Sequence, residues 1–344
     1  MPYQIKDPGK DLYIMEFCGT HTMAIARAGI RQCLPSHVHL VSGPGCPVCV
    51  TPSGAIDTAL QLAEEKNIMI CSYGDMLRVP GSRQETLLQK KAAGADVHIC
   101  LSAMDALQLA KRFPEKEVIF LGVGFETTAP GTAVSAKIAK EEGCRNFSIF
   151  NLLKRSEPAI TAILDDPQCQ IDAFLCPGHV AAIIGETGFS FLPKIYQKSA
   201  VVAGFEPEDI LYAIQLLCEA HQQDRIILKN TYTRLVQKNG NPHALALLEE
   251  VFEETDSFWR GLGNIERSAF GFRKEYERWD AVKKFHLPSF TDQEPAGCCC
   301  GEVIRGKKRP QDCPLFHRTC HAQNPIGPCM VSSEGTCAAA DRYE

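Results

Sequence analysis

A chain of 344 residues, 45% hydrophobic and 22% charged, is long enough to bury a core in each of two or three globular domains. Its formal net charge of −5 argues against bulk nucleic-acid binding, which needs a basic face. No apolar run reaches the roughly 18 to 20 residues that span a bilayer. The first residues, Met1 to Asp7, lack the basic and apolar regions of a signal peptide, so the expected location is the cytoplasm, with no membrane and no nucleic-acid partner. In that reducing compartment the seventeen cysteines are read as ligands or redox groups rather than as a disulfide framework, and their odd number forbids full pairing.

Along the chain, β-rich runs at 12–17, 38–42, 68–72, 97–101, 118–123, 147–152, 171–175 and 200–203 alternate with helical segments at 54–66, 83–93, 103–113, 132–142 and 157–164. Ser53 and Ser156 stand where N-caps are expected. Several of the runs are apolar throughout, as parallel strands covered on both faces should be. The rhythm predicts α/β layers joined by crossover helices. A charged interruption at 111–116 suggests a boundary, giving two similar parallel-sheet α/β domains, 1–110 and 111–205. A helical, cysteine-rich domain, 206–344, follows, with amphipathic helices expected at 208–223, 243–258 and 273–284. From residue 287 onward Pro, Gly and Cys dominate and no periodicity survives, so a bound metal is expected to supply the folding energy that burial cannot.

The unusual motifs follow the strands. Cys18-Gly19-Thr20-His21-Thr22 comes after the first, Gly43-Pro44-Gly45-Cys46-Pro47-Val48-Cys49 after the second, Gly124-Phe125-Glu126-Thr127-Thr128-Ala129-Pro130 and Pro177-Gly178-His179-Val180 after later ones. Ligands in open α/β sheets bind outside the carboxyl ends of the strands, so Cys18, His21, Cys46, Cys49, Glu126 and His179 are expected to share a cleft. Cys46 and Cys49, in a strand-to-helix turn, suit a redox dithiol; half of a zinc site is the competing reading. Cys18 and His21, three apart, would face one side of a helical turn and suit a soft or borderline metal. His21 and His179 also fit ordinary structural roles, and Glu126 is either a proton-handling or metal-facing carboxylate or a charge at a helix N-terminus. Gly122 and Gly124 begin a dinucleotide fingerprint that lacks its third glycine. A short echo, Gly124-Phe125-Glu126 and Gly204-Phe205-Glu206, follows two of the strands.

Seven cysteines lie in the last 47 residues: 298, 299, 300, 313, 320, 329 and 337. Thiolates on irregular backbone suit a [4Fe–4S] cluster with Cys₄ ligation, and a structural Zn(Cys)₄ site uses the same ligands.

Taken together and in this order, these motifs resemble the HypD family of hydrogenase maturation factors over essentially the whole chain. The tail, with Cys313-Pro314-Leu315-Phe316, Cys320 and Gly327-Pro328-Cys329 through Cys337, looks like that family's cluster-binding end. The resemblance implies a scaffold rather than a conventional turnover enzyme, building the Fe(CN)₂CO unit of [NiFe]-hydrogenases. It implies a small partner, HypC, a cyanide donor, HypE, and indirectly the hydrogenase large subunit. By the same resemblance Cys18 is the iron-facing thiolate with His21 beside it, Cys46 and Cys49 are the redox pair, and Cys298, Cys313, Cys320 and Cys337 hold the [4Fe–4S] cluster. The cysteine triplet departs from the family's Cys-x-Cys-Gly pattern, leaving Cys300 and Cys329 as alternate ligands. A free-standing iron–sulfur thiol–disulfide oxidoreductase is the second reading, and a zinc-stabilised interaction protein the third.

Overall fold

The computed structural model describes residues 5–344. Its strands are β1 (Leu12–Glu16), β2 (Val38–Ser42), β3 (Ile68–Ser72), β4 (Val97–Ile99), β5 (Glu117–Gly124), β6 (Phe147–Leu153), β7 (Ala173–Pro177), β8 (Ser199–Ala203), β9 (Leu228–Asn230), β10 (Phe252–Trp259) and β11 (Gly263–Phe272). Two parallel sheets carry the α/β architecture, one of order β2-β1-β7-β8-β9 and one of order β4-β3-β5-β6. β10 and β11 form an antiparallel hairpin.

The apolar composition of the strands explains the layering. β7 and β8 are buried at every position, which requires cover on both faces. On one face of the five-stranded sheet Ile14, Leu175 and Val201 meet Ile25 of the helix Gly19–Arg27 and Ile210, Ile214 and Leu217 of the helix Pro207–Gln222. On one face of the four-stranded sheet the alanines of the helices Ala103–Arg112 and Ala129–Glu141 let those helices approach closely. A further core joins everything else: Met15 and Phe17 from the first sheet, Val123, Phe125 and Phe150 from the second, Trp259 from the hairpin, and Cys300 and Cys329 from the tail.

The sheets do not divide at residue 110. β3 and β4, before that point, are hydrogen-bonded in one sheet with β5 and β6, after it. Residues 68–153 are nested between β2 and β7, so the first sheet is built from the two ends of the α/β region. Nor does its chain end at 205, because β9 pairs with β8. Linear order cannot reveal this, since parallel partners are joined by long crossovers and any later strand can fill the slot beside β1.

Two expected helices are different structures. The segment 243–258 begins as the helix Pro242–Val251 but continues as β10, because it pairs with β11, where Phe252 faces Phe272 and Trp259 faces Gly263. The segment 273–284 is a 3₁₀ turn, Lys274–Trp279, and a short helix, Ala281–Lys284. Ser53 and Ser156 are first helical residues rather than caps. The Ser53 N–H is satisfied from outside by Asp292 Oδ1 at 2.8 Å, and the Ser156 N–H by Glu126 Oε1 at 2.8 Å. Among the described residues no helix is long and apolar enough to cross a membrane.

Candidate functional site

The carboxyl ends of β1, β2 and β7 bring three of the sequence motifs together. Cys18 follows β1 as the N-cap of the helix Gly19–Arg27, with extended backbone. The loop after β2 packs directly on it: the Gly19 N–H donates to Gly45 O at 3.3 Å, and a side chain at Gly45 would strike the Cys18 backbone. Glycine at 45 is thus required by close approach, and it sets the Cys46 loop against Cys18.

Burial dominates the electrostatics. The Cys18 thiol is pushed up to about 12, first by burial and then by the Glu334 carboxylate, with the amides of Thr20 and His21 opposing. The Glu16 carboxyl is raised to about 7 by burial, against hydrogen bonding from Ser42 and Thr22 and the charge of Arg31. The Thr22 hydroxyl donates to Glu16 Oε1 at 2.7 Å. His21 is lowered to about 4, chiefly by burial, and is therefore neutral near pH 7. Its Nε2 lies 2.8 Å from the Gly204 carbonyl, which can only accept, so the proton sits on Nε2. Nδ1 is left as a buried acceptor with no hydrogen-bond partner among the described residues.

Phe205 links two of the candidate histidines. Its ring centroid lies 4.7 Å from His21 and 4.0 Å from the more exposed His179, which opens the helix Gly178–Ile184 after β7. The two members of the Gly-Phe-Glu echo have parallel placements, since Phe125 follows β5 and Phe205 follows β8. Phe125 is 6.4 Å from Phe17, which brings the end of the second sheet against the residue preceding Cys18. Glu126 itself is turned to the helix Ser156–Leu164: Oε1 accepts from the Ser156 N–H and hydroxyl at 2.8 and 3.0 Å. Its Oε2 is buried without a partner among the described residues, and burial raises the carboxyl pKa.

Cys46 and Cys49 are joined as a disulfide, 5% and 2% exposed. They occupy a turn of their own rather than a helix N-terminus, since the next helix, Ser53–Leu62, begins four positions beyond Cys49.

All seven tail cysteines line one cavity of about 20 Å³. The Cys300 and Cys329 sulfurs are 3.1 Å apart. A side chain at Gly327 would sit 3.1 Å from the Cys298 sulfur and 3.9 Å from the Cys300 sulfur, so glycine there keeps the sulfur-lined space open. Among the described residues no group of three His, Cys, Asp or Glu side chains forms a single-ion site. The donor chemistry, thiols on short irregular segments, fits a thiolate-held centre.

Residues 3–344 match the protein-family model HypD, described as "Hydrogenase formation hypA family". The chain belongs to the HypD family. The hydrogenase maturation factor HypD of Cupriavidus necator is 44% identical over 343 residues, covering 98% of this chain and 90% of that protein. HypD of Escherichia coli is 44% identical over 336 residues, 97% and 90% of the two chains. HypD2 of Bradyrhizobium diazoefficiens is 42% identical over 344 residues, 98% and 90%.

In this HypD-family chain four residues of the site escaped sequence reasoning. Glu16 carried a signal, being a carboxylate inside an otherwise apolar strand. Glu334, Trp259 and Arg260 carried none, because their importance comes from segments far apart in sequence. The Thr20 hydroxyl donates to Glu334 Oε1 at 2.8 Å, and the Arg260 Nε donates to Thr51 O at 3.0 Å.

Proposed function

We propose that this chain is a hydrogenase maturation factor and the scaffold on which the Fe(CN)₂CO unit is assembled, acting with HypC and receiving cyanide from HypE before transfer to the hydrogenase large subunit. The observation that carries the reading is the pairing of Cys18 with the loop of Cys46 and Cys49 at the strand ends, inside a family whose named members are hydrogenase maturation factors.

The iron unit is cargo, and Cys18 would hold it. A thiol raised to about 12 stays protonated until a metal displaces the proton, so loading should release acid. The neutral His21, with Nε2 committed to Gly204, keeps Nδ1 as a free lone pair beside that thiol's helix turn. Phe17 and Phe125, 6.4 Å apart, and Phe205, 4.7 Å from His21, place apolar rings around this end of the sheet, which would limit water there. His179, exposed just after β7, would be the group placed for proton handling as ligands enter, while Glu126, just after β5, is turned to the helix Ser156–Leu164.

The tail cysteines Cys298, Cys313, Cys320 and Cys337 would hold a [4Fe–4S] cluster, with Cys300 and Cys329 within the same cavity. When bound it supplies single electrons. Reduction of the Cys46–Cys49 disulfide takes two electrons and two protons and gives two thiols. Its burial favours an internal role over exchange with a protein disulfide, which is the observation that ranks the scaffold above a free-standing oxidoreductase.

Infrared spectroscopy of the anaerobically purified complex with HypC tests the reading. Cyanide and CO stretches should be present in the complex and lost with Cys18→Ala, while fold and cluster absorption persist. Stretches of undiminished intensity in Cys18→Ala would overturn the ligand assignment, and their absence from the loaded wild-type complex would overturn the scaffold.

A further inference from the structure

Arg260, in the turn between β10 and β11, is 2% exposed. Its backbone N–H donates to Val50 O at 2.9 Å and its Nε to Thr51 O at 3.0 Å, both immediately after the Cys46–Cys49 disulfide. The other end of the guanidinium is incompletely satisfied. Its nearest carboxylate among the described residues, Asp292 Oδ1, is 3.6 Å from Nη2, and Nη2 has no hydrogen-bond partner among them. Asp292 is itself engaged by the Ser53 N–H.

The same turn is pressed against the tail. Gly261 has φ +78°, and a side chain there would stand 2.5 Å from the Gly301 Cα, next to Cys300. A guanidinium enclosed this fully is expensive to bury unless further negative charge stands near it. On one side lie the carbonyls of the disulfide loop, and on the other a cavity lined by seven thiols.

We propose that Arg260 is a positioning residue for the centre held by the tail cysteines: its buried charge raises that centre's reduction potential, and its bonds to Val50 and Thr51 fix the disulfide loop beside it. This rests on the cluster reading above. A thiolate-held cluster is a net anion that becomes more negative on reduction, so a fixed cation at its edge favours the reduced form.

The test is an anaerobic redox titration of the full chain with dithionite, followed by electron paramagnetic resonance, alongside iron and sulfide analysis. Arg260→Met should lower the equilibrium constant for reduction at least tenfold, which is about 59 mV for one electron. Arg260→Lys, which keeps the charge, should stay nearer the wild type. Asp292→Asn keeps an acceptor for Ser53 but removes the opposing charge, and should shift the potential the other way. Equal shifts in the Met and Lys variants, or an unmoved potential in a Met variant with full cluster content, would overturn the assignment. Should Arg260→Met fail to fold, Asp292→Asn decides, and no upward shift there overturns it. Wild-type protein without iron and sulfide would overturn the cluster reading itself, a result distinct from a normal cluster with an unmoved potential.

Discussion

The Thr20 hydroxyl donates to Glu334 Oε1 at 2.8 Å, fastening the helix that starts at Cys18 to the cysteine-rich tail. Gly19 makes this possible, because a side chain there would collide with Glu334, 2.7 Å from its carbonyl oxygen. Glu334 thereby becomes the second cause, after burial, of the raised Cys18 pKa.

Glu334→Gln removes that charge while keeping an acceptor for Thr20. The Cys18 pKa should fall, so its alkylation by iodoacetamide should begin at lower pH than in the wild type. Mass spectrometry of the Cys18 peptide across a pH series reads this, and an unshifted or higher onset would contradict it.

The disulfide should appear in a thiol count. Chain unfolded in guanidinium chloride near pH 8 with excess iodoacetamide and no reductant should alkylate at fifteen cysteines and leave the Cys46–Cys49 peptide unmodified. Reduction opens a very short loop, and chain entropy puts the loss of stability at only about 2 kcal/mol, so the fold should persist. Denaturant titrations with and without reductant check the second half of this statement.

Trp259 is fully buried, and its indole N–H donates to Ser268 Oγ at 2.8 Å. It lies in the core shared by both sheets and the tail, 5.9 Å from Phe125. Trp259→Ala should destabilise by about 3–5 kcal/mol. Trp259→Phe keeps most of the volume and leaves Ser268 bonded to the Ile265 carbonyl, so a smaller loss is expected. Chemical unfolding distinguishes the two.

Lys154 gives a pH signature. Burial lowers its pKa to about 7, and it donates to Ser257 Oγ and, at 2.9 Å, to Phe258 O of β10. Between pH 7 and 10.5 the unfolded chain holds a proton on this amine that the folded chain does not. By linkage this group's contribution makes stability rise with pH across that window, and it disfavours folding most fully below pH 7. Lys154→Met should remove that rise. Unfolding midpoints at pH 7 and pH 9 for both proteins measure it, and equal pH slopes would falsify the assignment.

Much of the architecture was legible because parallel strands must be apolar on both faces. Runs such as 147–152 and 200–203 therefore stand out without knowledge of their neighbours. The segments 243–258 and 273–284 misled for the complementary reason: their periodicity fits a helix, and only β11, which is itself weakly patterned, recruits part of the first into a hairpin. Glu126 shows the same limit at the site. Its surroundings marked it as special, yet one oxygen serves the helix Ser156–Leu164, a partner thirty residues away.

By itself the sequence determined the α/β class, the placement of the cysteine and glycine motifs at strand ends, and the gathering of thiols in the tail. Each follows from local chemistry: apolar runs, tight turns and ligand-dense irregular chain. Tertiary structure alone decided that residues 68–153 are nested within the first sheet, that Glu334 reaches Cys18, and that Arg260 stands between the disulfide loop and the tail cysteines. Those relationships depend on which strand edges and loops meet across hundreds of residues, and burial then sets the charges. A buried thiol or imidazole has the pKa its neighbours impose and a buried guanidinium the partners they offer, and those neighbours are absent from its stretch of sequence.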